Sequence, residues 1–527
     1  MTDVTLARRT LLLTGAGSAL AAGLPLPRAR AASKPLTVML ESEVTILDPH
    51  ATTAAITRTF GYHVFDTLFS MDSKGDIHPQ MVSEYSTAPD GLTWTFALRD
   101  GLKWHDGAEV TAADCVASLQ RWGKRDSLGK MLLAATETMT ATDARHFTIA
   151  LKEKFPLMLD VLGKPNAPTP VMMPARIMQG AAADGRITEI VGSGPFVFLR
   201  DEWKPGNVMV LARNDAYVPR REPADFLAGG KVVHVDRAYL RALPDQTTGA
   251  NALMAGEIDY MQFLPFDLLP QLAKADGVKL MDLTGPDMYQ GNFRLNHASG
   301  PFTDPAVRRV LWKLVDQREI LTAIGSPDRF HLDHCASFFM CDAPLSTDAG
   351  SAVARFDPAA AKAELAKTAY KGEPVIILEV ANSIIQTAGN VLAQHMKDAG
   401  FTVDEQVMDW GTVLARRVKR EGWSLYPVFS NGIDMTSPLK HFYVANNCND
   451  YAGWNCDADT TKLLAAFAQA DTPDARRTLA AQIQERAYET TPTVMWGQFA
   501  IPVGYRARVK NLLQTAFPIL WNLELAA

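Results

Sequence analysis

The side chains best suited to chemistry cluster in one short run, "HLDHCASFFMC" (331–341). It offers His331, His334, Cys335 and Cys341, soft donors of the kind zinc or nickel accepts. Their spacing fits no standard zinc pattern. Cys335 with Cys341, and Cys448 with Cys456, also suit local disulfides in an oxidising compartment, each closing a loop of polar and turn residues. Cys115 lies in an apolar helical stripe with Val116 and Leu119, which predicts a buried free thiol. The sequence carries no His-Glu-x-x-His, no Cys-x-x-Cys and no phosphate loop ending in Gly-Lys-Ser/Thr. "GSG" at 192–194 lacks the spacing of a nucleophile elbow. These residues point to no catalytic centre and no cofactor. Trp410, Trp423, Phe429, Trp454 and Trp496 stand beside turn residues; such aromatics build cores, and as a group they also suit a cleft between lobes.

The elements that would position such a cleft begin after residue 31. Arg8-Arg9, a mildly apolar Gly- and Ala-rich run and Ala29-Arg30-Ala31 read as an export signal similar to the twin-arginine type, with Ala7 where that pattern has Ser or Thr. No Cys follows the cleavage site, so the expected product is periplasmic and not lipid-anchored. The whole chain carries a net charge of −6, and the leader's four Arg and one Asp make the remainder more acidic still, which argues against nucleic acid as a partner. An apolar fraction of 47% against 21% charged excludes a disordered chain. No later run approaches the roughly 18 apolar residues of a membrane span.

Strand and helix signals then alternate. "LTVMLESE" (36–43) and "HFTIALKE" (146–153) read as strands, 92–107 as a hairpin turning at Asp100-Gly101, and 192–214 as another turning near Pro205-Gly206. Thr111 and Asp114 have capping-box spacing ahead of a helix. From 357 a βαβ rhythm implies a partly parallel sheet under helices. Asp304-Pro305 opens a helix whose stripe is Val307, Val310, Leu311, Leu314 and Val315; Arg308, Arg309 and Lys313 fall off it, toward water.

"NFRLNHASGPFTDPAVRRVLWKLVDQREIL" resembles the most repeated segment of the periplasmic solute-binding proteins of ABC transporters, peptide/nickel class (family 5, oligopeptide/dipeptide-binding-like). "ILDPH" (46–50), residues 64–122, residues 192–217, "GEIDY" (256–260), "FDPAAAKAEL" (356–365) and "MDWGTVLARR" (408–417) follow the same family's order. The resemblance implies a bilobal α/β fold of periplasmic-binding-protein type II (cluster C), with two mixed lobes, an extra subdomain and a two-crossing hinge. It implies lobe 1 from 34–64, 185–284 and 497–527, a subdomain at 65–184, and lobe 2 at 285–496. It also implies a monomeric receptor that closes on a peptide or other small organic solute and delivers it to an ABC permease. A metal-chelate receptor using His331, His334 or His441, or a secreted enzyme on the same scaffold, would be the other uses of such a chain.

In peptide-binding relatives an aspartate a few residues after a Trp-type aromatic holds the peptide's α-amino group. In "YPVFSNGIDMTSP" (426–438) Phe429 takes the aromatic place, Gly432 that of the aspartate, and Tyr426 that of an upstream basic residue. An ammonium buried without an anion costs several kcal/mol. The expected pocket is therefore uncharged and poor for plain di- and tripeptides, unless Asp434 supplies the anion. The resemblance places Thr53, Tyr289, Asn292, Trp410, Phe429, Asn431, Asp434 and Trp496 at the ligand.

Overall fold

The computed structural model describes residues 35–181, 185–445, 448 and 452–526; the export-type leader at 1–31 lies outside the described residues. The strand Leu36–Met39 enters the middle of a seven-stranded sheet, parallel to Arg237–Arg241 on one side and to Tyr260–Met261 on the other. A strand with both neighbours parallel is covered on both faces and mostly apolar, as Leu36, Val38 and Met39 are, with Thr37 half-buried. The hairpin of Phe196–Phe198 and Val208–Arg213 extends one edge, and Val503–Arg506 with Val278–Met281 the other.

A second sheet has six strands in the order His331–Leu332, Thr493–Phe499, Tyr289–Leu295, Leu425–Asn431, Val375–Val380, Val403–Met408. Its last two strands are parallel and joined by the helix Ile384–Ala399, which Ser383 caps and left-handed Gly400 ends. That is the βαβ unit expected from the sequence. Tyr289–Leu295 and Thr493–Phe499 are buried along their whole length, so this pair is the spine of the lobe. A third, four-stranded antiparallel sheet belongs to residues 82–151.

The chain is bilobal. It passes from the first large sheet to the second between Met281 and Tyr289, and returns between Phe499 and Val503. Tyr289 pairs with Phe499, so the two crossings leave the second sheet side by side. Such paired strands let lobes rotate through φ/ψ changes at a few residues. Two glycine contacts brace this frame. A Cβ at Gly192 would come within 1.8 Å of the Val64 carbonyl oxygen, so "GSG" is where the returning chain lies against the end of the helix Ala55–Val64. A Cβ at Gly291 would be 2.2 Å from the Trp496 ring, so this indole rests directly on a strand backbone.

Two expectations are corrected. Residues 92–107 are not a hairpin: Thr93–Leu98 lies between Val82–Thr87 and His146–Leu151, and Gly101 (φ +77°) turns the chain away from the sheet. Alternation reveals a strand but not its partner, and here Phe96 stacks on Phe147, 51 residues on, at 4.9 Å. The helix from 305 is also broken. It runs Pro305–Val310, tightens over Leu311–Lys313, and restarts at Gln317–Ala323 behind the Asp316 cap. Arg308 is not in water but 7% exposed. Its Nε and Nη2 donate to the Thr490 carbonyl oxygen at 3.2 and 3.0 Å, and Nη1 to that of Phe302 at 2.6 Å. Thr490 ends the helix Pro473–Thr490, where orphaned carbonyls attract cations. The off-stripe arginine thus caps a neighbour that no local pattern announces.

Both local cysteine pairs, Cys335–Cys341 and Cys448–Cys456, are disulfides, and Cys115 is free and buried, as expected. Replacing Arg308 by Ala would strand the buried carbonyls of Phe302 and Thr490. Arg308→Ala is therefore expected to lower unfolding free energy by about 1–3 kcal/mol in urea titrations; an unchanged midpoint would show those carbonyls to be hydrated.

Candidate functional site

The helix Ala55–Val64 reads "AITRTFGYHV", and every residue from Ile56 onward is buried. It packs on the seven-stranded sheet, with Phe60 edge-on to Phe198 at 5.7 Å. The charged Arg58 in its middle therefore has no solvent face. Its Nη1 donates to both carboxylate oxygens of Asp434, at 2.7 and 2.8 Å. Asp434 closes a short 3₁₀ turn, Gly432–Asp434, that follows the strand Leu425–Asn431 of the second sheet. An arginine carried by one lobe and an aspartate carried by the other thus meet out of water, with side chains 0% and 8% exposed.

Phe517, from the C-terminal segment, lies under the guanidinium with its centroid 4.4 Å from the central carbon. The same ring stacks on Tyr62. Nε and Nη2 of Arg58 are buried with no hydrogen-bond partner among the described residues, and so is the amide oxygen of Asn431. Glu41, just beyond the strand Leu36–Met39, interacts with both charges of the pair. Burial pushes its carboxyl up to about 7, Arg58 opposing and Asp434 reinforcing the shift. Burial likewise raises Asp434, against the pull of Arg58. Burial lowers the ammonium of Lys440, opposed by the charges of Asp160 and Asp434.

Below this pair an aromatic floor spans the crossings. Phe429 lies 5.3 Å from Tyr289, 5.6 Å from Phe499 and 5.8 Å from Phe263, the last carried by the first lobe. Tyr289 donates its hydroxyl to the Ala516 carbonyl oxygen at 2.9 Å. Tyr289, Phe429, Asn431 and Asp434 are thus brought together where the lobes meet. Thr53 is half-buried two residues ahead of the Arg58 helix. Trp410 begins the helix Trp410–Arg417 beyond the edge strand Val403–Met408, and its ring faces the Arg417 guanidinium at 5.7 Å. Trp496 is fully buried, its Nε1 donating to the Val428 carbonyl oxygen. Asn292 is fully buried too, bonded to Gln290 and Thr493.

Where the lobes meet the surroundings are not uncharged: Arg58 and Asp434 pair there, and Asp434 is the anion the sequence offered. Gly432 has a packing reason: a Cβ there would be 2.7 Å from the Met288 carbonyl oxygen and 2.9 Å from that of Pro286. No aspartate fits at 432 without moving backbone, and the loop's carboxylate comes two residues later. The possible metal ligands do not converge. Cys335 and Cys341 are bonded to each other, His331 faces Ser326, and His441 is bonded to Gln290 and held neutral, burial bringing it down to about 3. Among the described residues no group of three His, Cys, Asp or Glu side chains is placed to hold a metal. Arg58, Glu41 and Lys440 were not legible as site residues. For Arg58 a signal existed, a lone arginine in a helix otherwise apolar, small or uncharged.

A family model, "Bacterial extracellular solute-binding proteins, family 5 Middle", matches residues 76–453. A probable peptide ABC transporter periplasmic-binding protein of Sinorhizobium fredii is 34% identical over 99% of this chain and 100% of its own. A glutathione-binding protein of Pectobacterium atrosepticum is 24% identical over 94% and 93%. Among solved structures, a Helicobacter pylori periplasmic binding protein in complex with a peptide superposes with TM-score 0.80 at 18% identity, covering 94% of this chain and 98% of that one. An Agrobacterium protein in complex with agropinic acid gives 0.79 at 21% identity, covering 94% and 99%.

The raised carboxyls carry a sign. A carboxyl whose value is raised where the lobes meet favours that arrangement fully below about 4.5, and the contribution is lost as pH rises through about 7. Small-angle scattering of the ligand-free protein is expected to show a larger radius of gyration at about pH 8.5 than at about pH 5.5; equal radii would mean that Glu41 does not report on closure.

Proposed function

The chain belongs to family 5 of the bacterial extracellular solute-binding proteins, and from that premise we propose that it binds a peptide-like or other small organic solute between its lobes and hands it to an ABC permease. The family is one of binding proteins. The observation that carries the reading here is the buried Arg58–Asp434 pair, since a charge pair joining two lobes is one that a polar solute can enter and replace. Tyr289, Phe429, Asn431 and Asp434 form the solute's surroundings, with Arg58 opposite. Trp496 and Asn292 support them from the core, and Thr53 and Trp410 lie further out.

The lobes run 34–64, 185–284 and 497–527 for the first and 285–496 for the second, with 65–184 a subdomain. What supports these limits is that the strands of each large sheet fall inside one set, apart from the last three residues of Thr493–Phe499, which lie past 496, and the four-stranded sheet inside 65–184. The receptor acts as a periplasmic monomer, without a lipid anchor, nucleic acid or catalytic step. No helix among the described residues is long and apolar enough to cross a membrane.

Native mass spectrometry of gently purified protein should reveal a retained solute, and adding it back to stripped protein should shrink the radius of gyration. An unchanged scattering profile at saturation would refute the clamp. Phe429→Ala is expected to cost about 1–3 kcal/mol of affinity for that solute by calorimetry, the range of a buried aromatic anchor; no loss would remove the aromatic floor from the site.

A further inference from the structure

The run 331–341, conspicuous in the sequence for its soft donors, serves another end, since Cys335 and Cys341 are bonded to each other. Residues 333–341 are neither helix nor strand, so their backbone groups need partners from elsewhere. Four glutamines, each on a different element of the second lobe, supply them. Gln317 Oε1 accepts from the Cys335 amide at 2.7 Å, and its Nε2 donates to the Cys335 carbonyl oxygen at 3.0 Å. Gln484 Oε1 accepts from the Phe338 amide at 3.0 Å, and Gln290 Nε2 donates to the Phe338 carbonyl oxygen at 3.0 Å. Gln498 Oε1 accepts from the Cys341 amide at 2.9 Å. The Tyr488 hydroxyl donates to the Ala336 carbonyl oxygen at 2.6 Å. All four glutamines are buried, and a buried amide is tolerable only when its hydrogen bonds are made. The lobe thus spends an unusual amount of buried polarity on holding seven residues still.

What the loop delivers is one side chain. Met340 is fully buried and has φ +61°, a left-handed backbone that a long side chain adopts only where its surroundings impose it. A Cβ on Gly432 would lie 2.3 Å from Met340 Cε, so that methyl group rests against the first residue of the turn Gly432–Asp434. Gln498, which holds Cys341, also donates to Met288 Sδ at 3.7 Å, and the Met288 carbonyl oxygen accepts from the Gly432 amide at 2.7 Å. The loop therefore reaches the turn twice, directly through Met340 and indirectly through Gln498 and Met288.

We infer that Met340 is a positioning residue of the solute site: the Cys335–Cys341 loop holds its side chain against Gly432, and that contact sets where the turn presents Asp434 to Arg58. Its consequence for binding rests on the receptor reading, whereas the contact itself does not. Gly432 and Met340 are complementary in shape. A side chain at 432 would collide with the methyl group, and a smaller residue at 340 would leave a hole beside the turn. The disulfide ties together the two residues that Gln317 and Gln498 grip, so breaking it loosens the end that carries Met340.

The test is amide hydrogen exchange of the ligand-free protein, followed by mass spectrometry over the segment 432–435. The Gly432 and Met435 amides, bonded to the carbonyl oxygens of Met288 and Gly432, report on the turn. In Met340→Ala that segment is expected to exchange at least about tenfold faster, while Tyr289–Leu295 and Thr493–Phe499 keep their wild-type rates. Met340→Leu, which conserves volume, should restore the slow exchange. The double variant Cys335→Ser/Cys341→Ser should loosen 432–435 as Met340→Ala does, and Cys448→Ser/Cys456→Ser should not. Unchanged exchange at 432–435 in either the Met340→Ala or the Cys335→Ser/Cys341→Ser protein overturns the inference. Faster exchange spread evenly over the second sheet overturns it too, since Met340 would then be a core residue and nothing more. Should Met340→Ala fail to fold, the double serine variant, which keeps the methionine, decides alone. None of these measurements involves a solute, so their failure leaves the receptor reading to its own test.

Discussion

Arg58 and Asp434 are the contact around which the two lobes are arranged, and its energetics are finely poised. Removing each ion from water costs several kcal/mol even after relaxation, and their mutual attraction returns that only with good geometry and few unmet hydrogen bonds. Both oxygens of Asp434 share one nitrogen of Arg58 rather than taking two in parallel, and two further donors of the guanidinium are unmet among the described residues. The pair therefore holds the lobes together without a large surplus. That is what a receptor needs, because a contact that locked the lobes shut would exclude the solute, and one with no net attraction would give closure no preferred register.

The pair can meet only because each partner is held stiffly within its own lobe. The helix carrying Arg58 is buried along its length and pressed at its end by the Gly192 and Gly194 backbone, where no side chain could fit. The turn carrying Asp434 is pinned by the amide of Gly432, which donates to the Met288 carbonyl oxygen at 2.7 Å. Met288 itself lies in the outgoing crossing. The loop that presents the carboxylate is thus fastened to the segment about which the lobes would turn, so rotation at the crossing also moves the aspartate.

Much of this fold was legible, and the exceptions share one cause. The strand Leu36–Met39, the capping box of Thr111 with Asp114, the βαβ unit from Val375 to Met408 and both disulfides follow from local pattern. Arg308 and the 92–107 segment were misjudged because their partners, Thr490 and Phe147, lie far along the chain and leave no trace in spacing. The site suffered in the same way. Phe429, Asn431 and Asp434 could be placed from one run of sequence, whereas Arg58 is 376 residues from its carboxylate. A charge inside an otherwise apolar helix says that a counter-charge exists, and only the tertiary structure says which.

The second lobe also shows how a polar interior can serve motion without moving. Along Tyr289–Leu295 the residues alternate, with Tyr289 at the aromatic floor and Gly291 under Trp496, while Gln290, Asn292 and Arg294 carry the polar groups between them. Gln290 donates to the carbonyl oxygens of Ser337 and Phe338 and bonds His441, and Arg294 donates to those of Ala452 and Tyr443. These bonds tie residues 337–338, His441, Tyr443 and Ala452 to the central strand. Because buried His441 is neutral, the network gains no unbalanced charge there. A lobe cross-linked in this way resists internal shear. Rearrangement is left to the crossings and to the buried charged contact between the lobes, which places the mobile part of the molecule where its unsatisfied donors are.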